Sequence, residues 1–249
     1  RVCKGFQKPE IHPRFKGKLR TVSKTSPSAI ENPQIGRIPI LGVTPVVENG
    51  RWPAKAFEGE VIPFSANVFR EGHDAVAAEV LLTSPSGQTS IIPMNPGAPG
   101  TDRWYCKAQL PEQGTYTFRI RAYADDYETW HHAASVKIAA GIDEELKIAE
   151  GVNLFTRAAA EKSRGKASAK SLKALADAMS DAGETAAGRL ALAEQPDLLE
   201  MLRNEPIRSL ETLSNEYLIR SERKLSGYGA WYEFFPRSED AKLDAKTGV

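Results

Sequence analysis

The chain has 249 residues, 41% of them hydrophobic and 26% charged, with a net charge of +1. That is enough for one large domain or two small ones with a real core, and no run of about 18 apolar residues is present to span a membrane. Two cysteines, Cys3 and Cys106, cannot build the disulfide framework of a small secreted scaffold, and there is neither an apolar signal core nor an initiating Met, so a soluble piece of a cytoplasmic protein is expected.

The charge is segregated. Residues 1–36 hold eight Lys/Arg against two Asp/Glu, a leader of +6 ahead of a remainder of about −5. The leader is rich in Lys, Pro and Ser and lacks interleaved aromatics, which favours a solvated, disordered extension over an arm that binds nucleic acid.

From Ile38 to Ala140 apolar residues alternate with period two between turn signals, the mark of half-buried antiparallel strands. Ile62, Phe64, Ala66 and Val68 share one face, as do Tyr116, Phe118, Ile120 and Ala122, while Thr115, Thr117, Arg119 and Arg121 point the other way. Asn49-Gly50, Pro85-Ser-Gly87, Pro96-Gly-Ala-Pro-Gly100 and Gln113-Gly114 supply the turns. Short strands at this density predict a two-sheet, immunoglobulin-like sandwich over 37–140.

At Gly141 the period changes. Asp143, Glu144 and Glu145 place negative charge in a first helical turn, and Leu146, Val152, Phe155 and Ala159 follow at helical spacings. A second helix is expected behind a Ser168 cap, with Leu172, Leu175, Ala176 and Met179 on one face. Further helices are predicted over 184–193, 197–204 and 209–223, broken by Pro196 and Pro206, giving a small bundle over 141–227. The fold class is thus mainly β plus α. An aromatic linker, 228–249, closes the chain with Trp231, Tyr232, Phe234 and Phe235 inside five positions.

Few residues carry chemistry. His131 and His132 are adjacent, and on a strand they would face opposite sides of the sheet and could not easily share a metal ion. Phe69-Arg-Glu-Gly-His-Asp74 reads either as a binding loop or as a turn in which Arg70 pairs with a carboxylate. No phosphate-binding glycine motif occurs: Ala160 breaks the pattern ending at Gly165-Lys166. Neither a cofactor nor a metal site is expected. Trp52, Trp104 and Trp130 are candidate sugar contacts through exposed ring faces, or else core residues. In the tail, Tyr232, Glu233, Phe234, Phe235 and Arg237 are expected either to dock on a following domain or to approach its substrate cleft, because so much apolar surface needs something large to pack against.

Several short blocks, in order, carry a resemblance: Pro45-Val-Val-Glu48, Arg51-Trp-Pro-Ala-Lys55, Phe69-Arg-Glu-Gly-His-Asp74, Thr101-Asp-Arg-Trp104, Gly141-Ile-Asp143 and Gly229-Ala-Trp-Tyr-Glu-Phe-Phe-Pro-Arg-Ser238. From about Arg37 to Ser238 the chain resembles the N-terminal region of the maltose-1-phosphate maltosyltransferases, relatives of α-amylase in glycoside hydrolase family 13. The resemblance implies a sandwich with a helical insert ahead of a (β/α)8 barrel. It also implies retaining transfer of maltosyl units from α-maltose 1-phosphate to α-1,4-glucan ends by two barrel carboxylates. No catalytic residue transfers onto this chain, which is expected to be an inactive fragment that builds a homodimer and braces its own C-terminal barrel; the alternative is a glucan-binding module of an amylase-type hydrolase. No nucleic acid or membrane partner is expected.

Overall fold

The computed structural model describes residues 36–229, 232–235 and 245–246. Cys3, Trp231, Arg237 and the leader up to residue 35 lie outside the described residues.

Eight strands come first: β1 (Ile40–Thr44), β2 (Ala54–Phe57), β3 (Val61–Val68), β4 (Val76–Thr83), β5 (Thr89–Pro93), β6 (Asn95–Pro96), β7 (Arg103–Gln109) and β8 (Gly114–Asp125). Five helices follow, α1 (Asp126–Ala139), α2 (Glu144–Ala159), α3 (Lys166–Met179), α4 (Ala186–Leu192) and α5 (Pro196–Asn204). Two further strands, β9 (Arg208–Leu213) and β10 (Tyr217–Glu222), then return to the sheet.

One sheet runs in the order β1-β3-β7-β6 and the other β2-β10-β8-β4-β5, with β9 also on β8. The alternation in the sequence explains their shared core. Ile62, Phe64, Ala66 and Val68 of the first sheet are buried against Val80, Leu82, Tyr116, Phe118, Ile120 and Ile219 of the second. Phe64 and Phe118 meet edge to face, 5.0 Å between ring centres, and burying each such ring stabilises the fold by about 2–3 kcal/mol. Gly87 and Gly114 take φ of 87° and 138°, so both turns need residues without a Cβ.

The helices own a second core. Tyr127, Trp130, Ala134 and Ile138 recur every three or four residues on α1 and pack with Phe155, Ala158, Leu172, Ala176 and Met179. The Trp130 indole N–H donates to the Lys147 carbonyl at 2.7 Å, and its ring stands edge-on to Phe155 at 5.3 Å.

Three local expectations are corrected. The first helix begins at Asp126, so Trp130, His131 and His132 are helical, because Asp125 ends β8 and accepts from the Glu128 amide at 3.0 Å as an N-cap. Residues 208–222 are strands, because β10 finds backbone partners on both sides, antiparallel to β8 and parallel to β2, and buries Ile219. Ser168 lies buried inside α3, whose N-cap is Gly165.

The helices therefore form an insert whose entry and exit meet. Asp125 pairs with Arg208 across the β8–β9 ladder, the Asp126 amide donates to the Ile207 carbonyl at 3.3 Å, and the Ser209 hydroxyl donates to Asp126 Oδ1 at 2.6 Å. Arg164, with a side chain only 3% exposed, reinforces the closure by donating to the carbonyls of Ala158, Glu205 and Pro206 at 3.0, 2.8 and 3.2 Å.

Gly151 inside α2 faces the Trp130 ring, and a Cβ there would come within 2.3 Å of it. Gly→Ala in a helix interior ordinarily gains about 1 kcal/mol; here Gly151→Ala is expected to lose about 1–3 kcal/mol by overpacking. Urea unfolding measures it, and a stabilised variant would show that the ring does not rest on this helix.

Candidate functional site

The structure separates the three tryptophans. Trp52 is 55% exposed, held by a hydrogen bond from its indole N–H to Glu48 Oε2 at 3.1 Å, with the Arg51 guanidinium 5.6 Å from the ring centre. It borders a groove of about 530 Å³ shared with Val47, Pro53, Lys55 and Arg220. Trp104 is half-buried on β7 and donates to the Val68 carbonyl at 3.2 Å, so its indole N–H is spent within the first sheet. Trp130 is buried in the helical core and offers no face to a sugar.

In the tail, Tyr232, Phe234 and Phe235 are 87%, 60% and 76% exposed, and Glu233 is exposed beside them. Leu225 and Tyr228 extend the apolar strip, with Tyr228 tilted against Phe57 at 5.9 Å. In the loop after β3, Arg70 pairs with Asp74 at 2.9 Å and His73 is exposed, which fits a turn.

A cleft invisible in the sequence lies between the second sheet and the insert. It encloses about 580 Å³ and draws Tyr123 and Asp125 from the end of β8, Tyr127, Glu128 and His131 from α1, Glu194 from the α4–α5 connection, and Arg203 from α5. These residues come together only because α1 continues β8 while α5 returns beside it. No period or motif links them.

The cleft is rigid on its inner side. The His131 ring stacks on Tyr127, 13° from parallel at 5.5 Å, and its Nε2–H donates to Glu194 Oε1 at 2.8 Å. The Tyr127 hydroxyl donates to the Ala193 carbonyl at 2.8 Å, and the Arg208 guanidinium sits over the Tyr123 ring at 5.1 Å. Burial pushes both tyrosines up to about 12, with Glu79 adding to the effect on Tyr123 and Glu128 on Tyr127. Neither phenol acts as a base near neutrality. Burial also raises the Asp125 carboxyl, against the lowering effect of the Glu128 amide it accepts from.

The arrangement does not assemble a nucleophile. Ser135 Oγ, 3.5 Å away, and Glu194 meet the same His131 nitrogen, whereas a catalytic triad needs the hydroxyl and the acid on opposite ring nitrogens. The Ser135 hydroxyl donates instead to the His131 carbonyl at 2.8 Å. Among the described residues no group of three His, Cys, Asp or Glu side chains is arranged to hold a metal ion, and no helix is long and apolar enough to cross a membrane.

Comparison with known proteins gives a single direction. The family profile of α-1,4-glucan:maltose-1-phosphate maltosyltransferase, domain N/S, matches residues 36–223. The maltosyltransferase 1 of Streptomyces coelicolor is 46% identical over 86% of this chain and 32% of its own length. The maltosyltransferase of Mycobacterium tuberculosis is 37% identical over 82% of this chain and 32% of its own length. That of Corynebacterium pseudotuberculosis is 37% identical over 82% and 30%. The chain thus spans about a third of the length of the curated relatives it matches.

Asp125 offers a test of the cleft's electrostatics. Because its carboxyl is raised above 3.8 in the folded chain, the folded state holds the proton more tightly. The associated stability is present below the ordinary carboxylate value and is lost as pH rises through the folded one. Asp125→Asn keeps the cap but removes the titration, so its stability relative to the unmodified chain should rise between pH 3.5 and pH 7. Asp125→Ala removes the titration as well but also loses the cap, so it should follow the same pH trend about 1 kcal/mol below the Asn variant. Urea unfolding at both pH values reads the two effects, and an Asn variant that loses ground with rising pH would reverse the assignment.

Proposed function

The chain belongs to the family of N/S domains of α-1,4-glucan:maltose-1-phosphate maltosyltransferases, and from that premise we propose that it is the non-catalytic N-terminal region of such an enzyme, bracing the catalytic barrel and pairing with a second copy. The full-length enzyme moves maltosyl units from α-maltose 1-phosphate to α-1,4-glucan ends in the cytoplasm. Its two reacting carboxylates sit on the barrel.

The observation that carries the bracing role is the apolar strip. Leu225, Tyr228, Tyr232, Phe234 and Phe235 are each at least 60% exposed, and they follow β10 directly, on the C-terminal side where most of a relative's length would lie. Beside them β2 is the outer strand of its sheet, so Phe57 and Trp52 flank an edge that another domain can cover. Aromatic and arginine side chains such as Trp52 and its neighbour Arg51 supply the anchors that interfaces favour.

The second reading, a glucan-binding module, rests on Trp52 alone, whose ring is 55% exposed beside Lys55 and Arg220. Trp52→Ala separates the two. A weakened retention on immobilised amylose with unchanged full-length stability favours the module, whereas lowered stability with unchanged retention favours bracing.

Two outcomes are expected. The purified chain transfers no maltosyl units from maltose 1-phosphate to glucan, as read by product chromatography; transfer free of host enzyme would overturn the non-catalytic assignment. Changing Phe234 and Phe235 to Ser lowers the thermal stability of the full-length enzyme by several kcal/mol and reduces self-association of the chain in sedimentation. Unchanged full-length stability would show that the strip is not a docking surface.

A further inference from the structure

The lysines of α3 stand apart from the other charges of the insert. Lys137, Lys147, Arg157, Arg164 and Arg189 each pair with a carboxylate. Lys162, in the turn ahead of α3, and Lys166, Lys170 and Lys173 along it are all exposed, and none has an ion pair or hydrogen bond among the described residues. Asp177 continues the row, exposed and likewise unpaired. At about 3.6 residues per turn, the four side chains from Lys166 to Asp177 spread over roughly 60° of the helix surface and about 16 Å of its length. The apolar face of the same helix, through Leu172, Ala176 and Met179, is buried in the helical core.

This row is unfavourable for the chain by itself. Like charges three and four residues apart repel, and Lys166 lies in a first turn that has neither an acidic residue nor a side-chain cap, where the helix dipole is positive. By contrast, α1 begins with Asp126 and Glu128, and α2 with Glu144 and Glu145. The carboxylates beside the start of α3 do not relieve it: Glu161 is taken by Arg164, and Glu205 by the Gly165 amide at 3.3 Å.

Sign and shape narrow the partner. A polyanion of uniform charge, such as nucleic acid or an anionic bilayer, would meet repulsion at Asp177, and the row offers neither an arginine nor an aromatic ring for bases to stack on. Because its apolar face is spent in the core, α3 has nothing to insert into lipid. A protein helix can match every position, with three carboxylates and one cation repeating the same four- and three-residue steps.

We infer that the exposed face of α3 is a docking surface for an acidic helix of a partner protein, which lays carboxylates against Lys166, Lys170 and Lys173 and a basic side chain against Asp177. Lys162 extends the electropositive end. Asp177 fixes which way the partner helix runs, since reversing it would set like charges opposite each other at both ends. Exposed charges are screened beyond about 8 Å at physiological ionic strength, so the contact is local and weakens with salt. It depends neither on the activity of the parent nor on the aromatic strip.

The test uses the 249-residue chain and a fluorescent, alanine-based helical peptide with Glu at i, i+4 and i+7 and Lys at i+11, its binding read by anisotropy. A peptide of the same composition with its Glu residues on different faces, a four-Glu peptide, oligo-dT and phosphatidylserine vesicles are the comparisons. The matched peptide should bind most tightly, and Lys170→Glu should weaken it roughly fivefold or more. Asp177→Lys should switch the preference to the four-Glu peptide, which a merely structural role would not do. Lys166→Glu should lose the peptide while raising the thermal midpoint of the chain, so loss of binding cannot come from unfolding. The inference is overturned if the scrambled peptide binds equally, if oligo-dT or vesicles bind more tightly than the matched peptide, or if Lys166→Glu lowers the midpoint. It is also overturned if Lys170→Glu changes the sedimentation of the chain alone, which would make the row a contact between two copies.

Discussion

The pairing of β8 with β9 is the constraint on which the rest of the molecule depends. The chain leaves the sheet at Asp125, builds five helices and re-enters at Arg208, and these two residues sit opposite each other in one antiparallel ladder. Closing so long a loop costs entropy that grows only with the logarithm of its length. Backbone hydrogen bonds, the Arg164 clamp and the packing of the helices offset it. Glu79, almost fully buried on β4, is held between Arg121 of β8 and Arg208 of β9, so three strands share one charged contact. A buried carboxylate with both partners in place fixes register, because a slip of one residue would leave charge unmatched.

That closure divides the apolar residues into two cores. The sandwich core draws on both sheets, and the helical core on the insert alone. It also creates the cleft, since α1 leaves the sheet as a continuation of β8 and α5 comes back next to it, holding Tyr123 and Tyr127 of one stretch opposite Leu199 and Arg203 of another. The exposed aromatic strip has a different origin. It follows β10, and among the described residues its ring contact with Phe57 is made by Tyr228.

Much of the sandwich was legible in the sequence because its strands are amphipathic. The period-two faces of β3 and β8 are the faces the structure buries, and each of the four predicted turns contains a glycine at positive φ, Gly50, Gly87, Gly100 and Gly114. The helical faces through Phe155 and through Leu172, Ala176 and Met179 were legible for the same reason. Two stretches were misread where local pattern and tertiary context disagree. On α1, Tyr127, Trp130, Ala134 and Ile138 do follow a helical period, but the stretch was read as part of the sandwich, whose alternation was expected to run to Ala140. Over 209–223 the leucines carry little period, and Leu210, Leu213 and Leu218 prove exposed, so strand identity comes from partners on β8 and β2 rather than from the segment itself. The order of short sequence blocks pointed to the family, which the match over residues 36–223 bears out. Of the candidate site residues, exposure distinguishes Trp52 from Trp104 and Trp130, a distinction no sequence pattern carries. The cleft was illegible because Asp125, Glu194 and Arg203 are brought together by the stem, not by spacing.

The claim that the β8–β9 stem is the organising contact is tested most directly by excising the helices and joining Asp126 to Ile207 through a short glycine-containing turn. If the stem closes the sandwich, the shortened chain retains dispersed amide signals for β3, β4, β8 and β10 and melts in one cooperative transition, because no sandwich core residue comes from the insert. A shortened chain with collapsed dispersion and no cooperative melt would contradict the account and show that the helices hold the sheet together.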